Sequence, residues 1–215
     1  MSDDVESYFD TRLEYDPRRN VLWRILCDEV FNQYGGPEAT VLELGAGWGD
    51  FINNVSARRK VAVDMWPGIT EHLDPSIETH VGSATDLHFL DAASVDMVFA
   101  SNLIEHLTHE QAGELVSESR RVLLPGGKLV LVQPNYRLCA DRYFDDYTHV
   151  SVWSDVGLSD FLSAHGFKVE KCLPKFLPFS LKSRLPVSAL LIKTYLRLPV
   201  KPLAGQMLLV ATPAV

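Results

Sequence analysis

Residues 41–51 read VLELGAGWGDF, an apolar run followed by three glycines within five residues, just ahead of a segment that reads as a helix. In an open parallel sheet, ligands bind beyond the carboxyl ends of the strands. There a tight glycine turn admits close backbone approach, and a helix N-terminus lends its free N–H groups. The turn from Gly45 to Gly49 stands at such an end. Nineteen residues past Gly45, KVAVD closes on Asp64, where a second strand would set a carboxylate able to accept both hydroxyls of a ribose. Strand, glycine turn, helix, strand and terminal acid together describe a nucleoside pocket; the plain alternative is a tight turn against a close-packed helix. The dinucleotide version of the motif asks for a third glycine five residues after the first, and Asp50 occupies that position. Glu43, two residues before the first glycine, would repel a pyrophosphate and suits a cationic ligand.

The rest of the chain alternates in a way that implies crossover connections and a parallel sheet. Asp16-Pro17 opens a helix with Val21, Leu22, Ile25, Leu26 and Val30 at helical spacing, stopped by Gly35-Gly36-Pro37. TVLELG, KVAVD, VDMVFAS, GKLVLVQP, GFKVEKC and QMLLVATP read as strands; 48–57, 108–123 and the stretch from Ser154 to His165 read as helices. Thr108 and Gln111 have the spacing of a capping box, and Pro125-Gly126-Gly127 ends that segment. Between the last two strands lies an insertion from Leu173 to Gly205 that a bare sheet does not need.

A chain of 215 residues suits one core and one site, and 47% hydrophobic with 22% charged residues is ordinary globular composition. Cys27, Cys139 and Cys172 are odd in number and lack a CxxC pair, so neither a disulfide framework nor a zinc site is indicated and a reducing cytoplasm is expected. MSDDVESYFD has no signal-peptide pattern, and no apolar run approaches membrane-spanning length. Net charge is −8, but residues 171–215 hold seven cations and no acid, which leaves −15 on the remainder. An acidic body argues against general nucleic-acid binding, while a local anionic partner for the tail stays open.

The segments VLELGAGWGDF, VAVDMWPG, VGSATDLHFLDAASVDMVFASNLIEHL and RVLLPGGKLVLVQPN, in this order and spacing, resemble the class I S-adenosylmethionine-dependent methyltransferases over residues 40–135. The resemblance implies a Rossmann-like α/β fold, with a seven-stranded, mostly parallel sheet between helices, the last strand antiparallel and a helical insertion before it. It also implies a cofactor, S-adenosylmethionine, whose methionine part lies over Gly45, Ala46 and Gly47 with Glu43 beneath. Its ribose would be held by Asp64 and its adenine set near Met65, Trp66, Ser83, Ala84 and Thr85, with Ser101 at the end of VDMVFAS completing the lining. Relatives often carry an acid where this chain has Ser83; Thr85, Asp86 or a backbone carbonyl would take over that contact, or Asp86 caps the next turn. The expected division of the single domain is 1–37 as an acidic segment with its helix, 38–172 as the cofactor-binding core, 173–205 as a basic lid-like insertion and 206–215 as the last strand.

Methyl transfer from a sulfonium is an in-line displacement that asks chiefly for alignment in a dry cavity, plus a base if the acceptor is an alcohol. His149 in RYFDDYTHVSVW is the preferred base, with Tyr143, Asp145, Asp146, Tyr147 and Trp153 as neighbours able to orient an imidazole or line a sugar; its alternative role is bonding the loop backbone. His106 in SNLIEHL is the weaker candidate, since Glu105 and His106 also read as a helix-start pair. No Asp/Asn/His set has metal-ligand spacing, and no metal is expected.

In the insertion, Lys193, Arg197 and Lys201 fall four residues apart along one helical face, opposite an apolar face of Leu191, Tyr195 and Leu198. A lid, a dimer contact, attachment to an anionic membrane surface and a plain solvated charge face all fit. YFDDYTHVSVWSDVGLSDFLSAHGF and KFLPFSLKSRLP also look like methyltransferases associated with saccharide and polysaccharide assembly. That similarity suggests O-methylation of a small-molecule or sugar hydroxyl, with the basic insertion meeting phosphate on an anionic acceptor. N-methylation of a small amine and a non-catalytic cofactor-binding subunit are the alternatives.

Overall fold

The computed structural model describes residue 11, residues 14–178 and residues 188–214. Its centre is a seven-stranded sheet of β1 (Thr40–Leu44), β2 (Arg59–Asp64), β3 (Glu78–Val81), β4 (Val95–Ser101), β5 (Leu123–Pro134), β6 (Phe167–Pro178) and β7 (Ala204–Pro213). The order across the sheet is β3-β2-β1-β4-β5-β7-β6. β1 pairs in parallel with β2 and β4, as do β2 with β3 and β4 with β5, whereas β7 runs antiparallel to both β5 and β6. This is the doubly wound, mostly parallel arrangement that the sequence implies.

Period-2 alternation along the strands feeds two apolar layers. Leu42, Leu44, Val98, Ala100, Leu129 and Leu131 face one layer, which is closed by α2 (His109–Val122) through Ala112, Leu115 and Val116 and by α3 (Asp155–Ala164) through Leu158 and Leu162. Val41, Met97, Phe99, Val130 and Val132 face the other, closed by α1 (Arg18–Leu26) through Leu22, Trp23 and Leu26. Phe51 stacks on Phe99 with centroids 3.7 Å apart, and Phe31 meets Phe99 edge-on at 5.0 Å, so the α1 side is the more aromatic. α1 continues into one wider helical turn, Cys27–Phe31.

Two elements differ from expectation. The stretch 48–57 is a run of turns and not a regular helix, although Asn53 N and Val55 N still donate to Gly49 O and Phe51 O. Asn54 Nδ2 takes Asp50 O at 2.9 Å, the carbonyl its own backbone N–H would use in a helix, so a side chain competes with the ladder. The third strand, β3, has only four residues on the edge of the sheet, without the alternation that marks a strand in sequence. By contrast α2 keeps its reading to the residue: Thr108 Oγ1 accepts from Gln111 N and Gln111 Oε1 from Thr108 N. β5 starts at Leu123, before the Pro-Gly-Gly break, and a register shift between Val95 and Met97 absorbs the irregularity.

The insertion splits into an extension of β6 to Pro178, residues 179–187, which lie outside the described ones together with Lys182 and Arg184, and α4 (Ala189–Arg197). α4 docks through Ile192, Tyr195 and Leu196. Leu191 and Leu198, expected on the packed face, are 51% and 40% exposed. The cations also have internal partners. Lys193 Nζ lies 2.8 Å and Arg197 3.4 Å from the Glu29 carboxylate, and Lys201 Nζ donates to Tyr195 O and Leu196 O at the helix end. Among the described residues no helix is long and apolar enough to cross a membrane.

Candidate functional site

The glycine turn leaves β1 in a conformation that explains its composition. Gly45, Gly47 and Gly49 have φ of 68°, 52° and 72°, the left-handed region where a Cβ is penalised. A Cβ on Gly49 would also meet Leu73 Cδ2 at 2.1 Å. Gly45 N and Ala46 N donate to Val63 O, which ties the turn to the end of β2. Asp64 closes the pair of strand ends: its Oδ2 accepts from Gly47 N and its Oδ1 from Trp66 N, each at 2.8 Å. Burial raises its pKa, and those backbone bonds work against the rise. The carboxylate stands between the turn and the start of the next segment, where the sequence places it, with lone pairs beyond the two in use.

Glu43 points the other way. It shares the face of Val41, is 4% exposed and accepts from Ile52 N at 2.9 Å, so it pins the stretch after the turn. Burial pushes its pKa well up. Leu103, from the segment after β4, takes the exposed side of the turn: a Cβ on Gly45 would lie 2.9 Å from Leu103 Cδ1. A ligand drawn onto Gly45 meets that flexible side chain first.

Of the residues expected around an adenine, Met65 is 46% exposed, whereas Trp66 packs edge-on against Trp48 at 4.6 Å and stacks with His72. Ser83 Oγ and Thr85 Oγ1 bond each other at 2.9 Å, with Ala84 buried between them. Asp86 accepts from His88 N and faces His88 Nδ1, which is the turn-capping arrangement. Gly82 N donates to Asp64 O and so holds this loop beside the acid. Ser101 ends β4 and accepts from Asn102 Nδ2. A recess of about 150 Å³ opens on the α1 side of Trp48, between Tyr15, Asn20, Asp50 and His72. It is smaller than the roughly 300–1,000 Å³ of typical ligand pockets.

Beyond Ser101, the chain brings together residues that are 42 or more positions apart. Ile104–His106 form one tight turn, and the loop after β5 lies on it: Val150 N and Ser151 N donate to Glu105 O, while Trp153 Nε1 and Ser151 Oγ donate to Ile104 O. His106 and His149 stand with ring centroids 4.9 Å apart. Ligand-type atoms of Glu105, His106 and His149 all lie within 4.8 Å of one another. Both tautomers follow from the network. His149 Nδ1 is 2.6 Å from Tyr143 O and donates to it. Thr148 Oγ1 gives its proton to Asp146 at 2.6 Å and therefore accepts from His106 Nδ1 at 2.9 Å. Each imidazole then carries its lone pair on Nε2.

Glu105 lies in the tight 3-10 turn Ile104–His106 and not at the start of α2, which begins four positions later. It is 1% exposed, and neither carboxylate oxygen has a hydrogen-bond partner. Burial raises its pKa to about 8, opposed by its own backbone N–H, which lies too poorly aligned to count as a hydrogen bond, and aided by Asp146 nearby. Burial and then the neighbouring His149 lower that of His106 to about 4. Sequence spacing gave no hint of a metal-ligand set, since the loop after β5 supplies one member and the turn after β4 the other two.

The fold is that of the S-adenosylmethionine-dependent methyltransferases. Residues 42–131, from β1 to the middle of β5, match the family described as a methyltransferase domain. A "Probable S-adenosylmethionine-dependent methyltransferase" of Mycolicibacterium smegmatis is 33% identical over 145 residues, 63% of this chain and 54% of the relative. A malonyl-[acyl-carrier protein] O-methyltransferase of Methylococcus capsulatus is 30% identical over 135 residues, 56% of this chain and 48% of the relative. The chain thus spans about half the length of the curated relatives it matches. Among solved structures, a SAM-dependent methyltransferase from Archaeoglobus fulgidus superposes with TM-score 0.67 at 19% identity, covering 97% of both chains. One from Clostridium acetobutylicum gives 0.62 at 11%, covering 99% of this chain and 98% of that one. The cofactor to which these similarities point is S-adenosylmethionine.

Proposed function

We propose that the chain transfers a methyl group from S-adenosylmethionine to a hydroxyl of a small acceptor, with a saccharide or saccharide-like molecule as first choice. The observation that carries this reading is the orientation of His149, whose Nδ1–H is held by Tyr143 O so that the Nε2 lone pair is its basic position. In the reaction the acceptor oxygen attacks the methyl carbon, the carbon–sulfur bond breaks with its electrons going to sulfur, and the hydroxyl proton passes to Nε2. Exposed Phe144 and Tyr147, 58% and 69% accessible on the same loop, offer rings on which a sugar could stack. Oxygen as the acceptor atom accords with the Methylococcus relative, which is named an O-methyltransferase. Phosphate on the acceptor is not required, because Lys193, Arg197 and Lys201 already have partners in the chain.

The test is transfer of labelled methyl from S-adenosylmethionine across sugar nucleotides, lipid-linked sugars, phenols and small amines. Label on a hydroxyl acceptor is the expected outcome. Label only on amines would replace the oxygen reading with N-methylation. Tight S-adenosylhomocysteine binding with no acceptor labelled would favour a cofactor-binding subunit without turnover.

A further inference from the structure

We propose that Glu105, His106 and His149 form a binding site for one divalent transition-metal ion of the zinc, cobalt or manganese kind. Two imidazoles and a carboxylate are a recurrent ligand set for such ions, and three protein ligands leave coordination positions open. The three ligand-type atoms lie within 4.8 Å of one another. Three ligands that each stand about 2.1 Å from one tetrahedral ion are about 3.4 Å apart, so the set must close by about 1–1.5 Å at its widest, within reach of side-chain rotation.

Two further observations point to a cation. Glu105 is 1% exposed and leaves both oxygens without a hydrogen-bond partner, an arrangement that a carboxylate buried for packing alone would avoid. The histidines are also oriented as metal ligands are, each donating Nδ1–H to a fixed acceptor and turning Nε2 away from it. For His149 the acceptor is Tyr143 O. For His106 it is Thr148 Oγ1, itself oriented by Asp146, so a carboxylate stands behind that imidazole one hydroxyl removed. The loop bearing His149 is fixed on the turn bearing the other two by Val150 N, Ser151 N and Trp153 Nε1, which limits how far the set can spread.

The ion's role, unlike its binding, rests on the acceptor reading above. An open position on the ion would take an acceptor oxygen and lower its pKa, and in the metal-bound chain His149 Nε2 would be a ligand, so that the base role given to it above would hold for the metal-free chain only. Binding can be measured without any acceptor. The full chain, stripped with chelator and dialysed, is titrated with Co²⁺ and with Zn²⁺ by calorimetry, with the visible absorption of Co²⁺ as a second readout, and S-adenosylhomocysteine binding is measured in parallel. One ion per chain is expected, with affinity weakened at least tenfold in Glu105→Gln and in His149→Ala and unchanged in Lys168→Ala. Glu105→Gln keeps the shape and introduces no buried charge; should it fail to fold, His149→Ala carries the test. Absence of binding in protein that still takes up S-adenosylhomocysteine would overturn the proposal, as would equal affinity in the variants. Neither result bears on whether a methyl group is transferred, which the labelling screen decides by itself.

Discussion

Two carboxylates at neighbouring strand ends do opposite jobs. Asp64 stays at the opening, with backbone N–H groups of Gly47 and Trp66 holding it in place, whereas Glu43 is drawn under the sheet to Ile52. Asp64→Ala is therefore expected to weaken S-adenosylhomocysteine binding by about 2–4 kcal/mol, through loss of charge-assisted bonds to the ribose; calorimetric titration of both proteins checks it. Unchanged affinity would place the nucleoside elsewhere. Glu105 makes a pH prediction. Its folded pKa of about 8 lies above the ordinary carboxylate value, so between roughly pH 4.5 and 8 the folded chain holds a proton that the unfolded chain has lost. Stability must then fall as pH rises through that window. His106, with its folded pKa of about 4, opposes the trend below pH 6.5 by favouring the folded chain as pH rises. The Glu105 effect is thus cleanest between pH 6.5 and 8. In chelator-treated protein the loss should approach, and not exceed, about 1.4 kcal/mol per pH unit, and denaturant titrations of Glu105→Gln should show it abolished.

At the scale of elements, the glycine turn sets what the strand ends can hold. Gly49→Ala adds a Cβ at φ 72° and within 2.1 Å of Leu73, so a loss of about 2–3 kcal/mol in urea unfolding is expected, with cofactor affinity falling as Trp48 and Asp50 shift. The turn was legible in sequence because glycine at φ > 0 has few substitutes, and α2 because its cap pairs two side chains at fixed spacing. Three features were not legible, each for a different reason. Edge strand β3 is short, and its exposed residues, Glu78 and Val81, fall on opposite faces, so its pairing with β2 comes from the sheet and not from its own pattern. The segment 48–57 has helical apolar spacing, yet Asn54 diverts one carbonyl from the ladder. Glu105 joins His149 only because β5 delivers its following loop onto the turn after β4, and the 44 positions between them hide the contact from any local motif.

For the whole molecule, the insertion is joined to the opposite end of the described chain. Glu29, just beyond α1, receives both Lys193 and Arg197, so α4 sits on the α1 layer through an ion-pair pair and the packing of Ile192, Tyr195 and Leu196. Glu29→Gln should raise hydrogen exchange in 189–197 while leaving the amides of β1 and β4 unchanged. Equal protection in α4 would mean that packing alone holds it. High salt should mimic the substitution, since these charges face solvent.

The antiparallel placement of β7 has a consequence for the growing chain. Among the described residues β6 pairs only with β7, which is made later and slots between two strands already synthesised. While the ribosome translates residues 179–213, β5 and β6 must both wait with open edges. The half of the sheet beyond β5 is therefore the part for which a trigger-type chaperone would have the longest opportunity, and a nascent chain arrested before residue 204 should be caught with that edge bare.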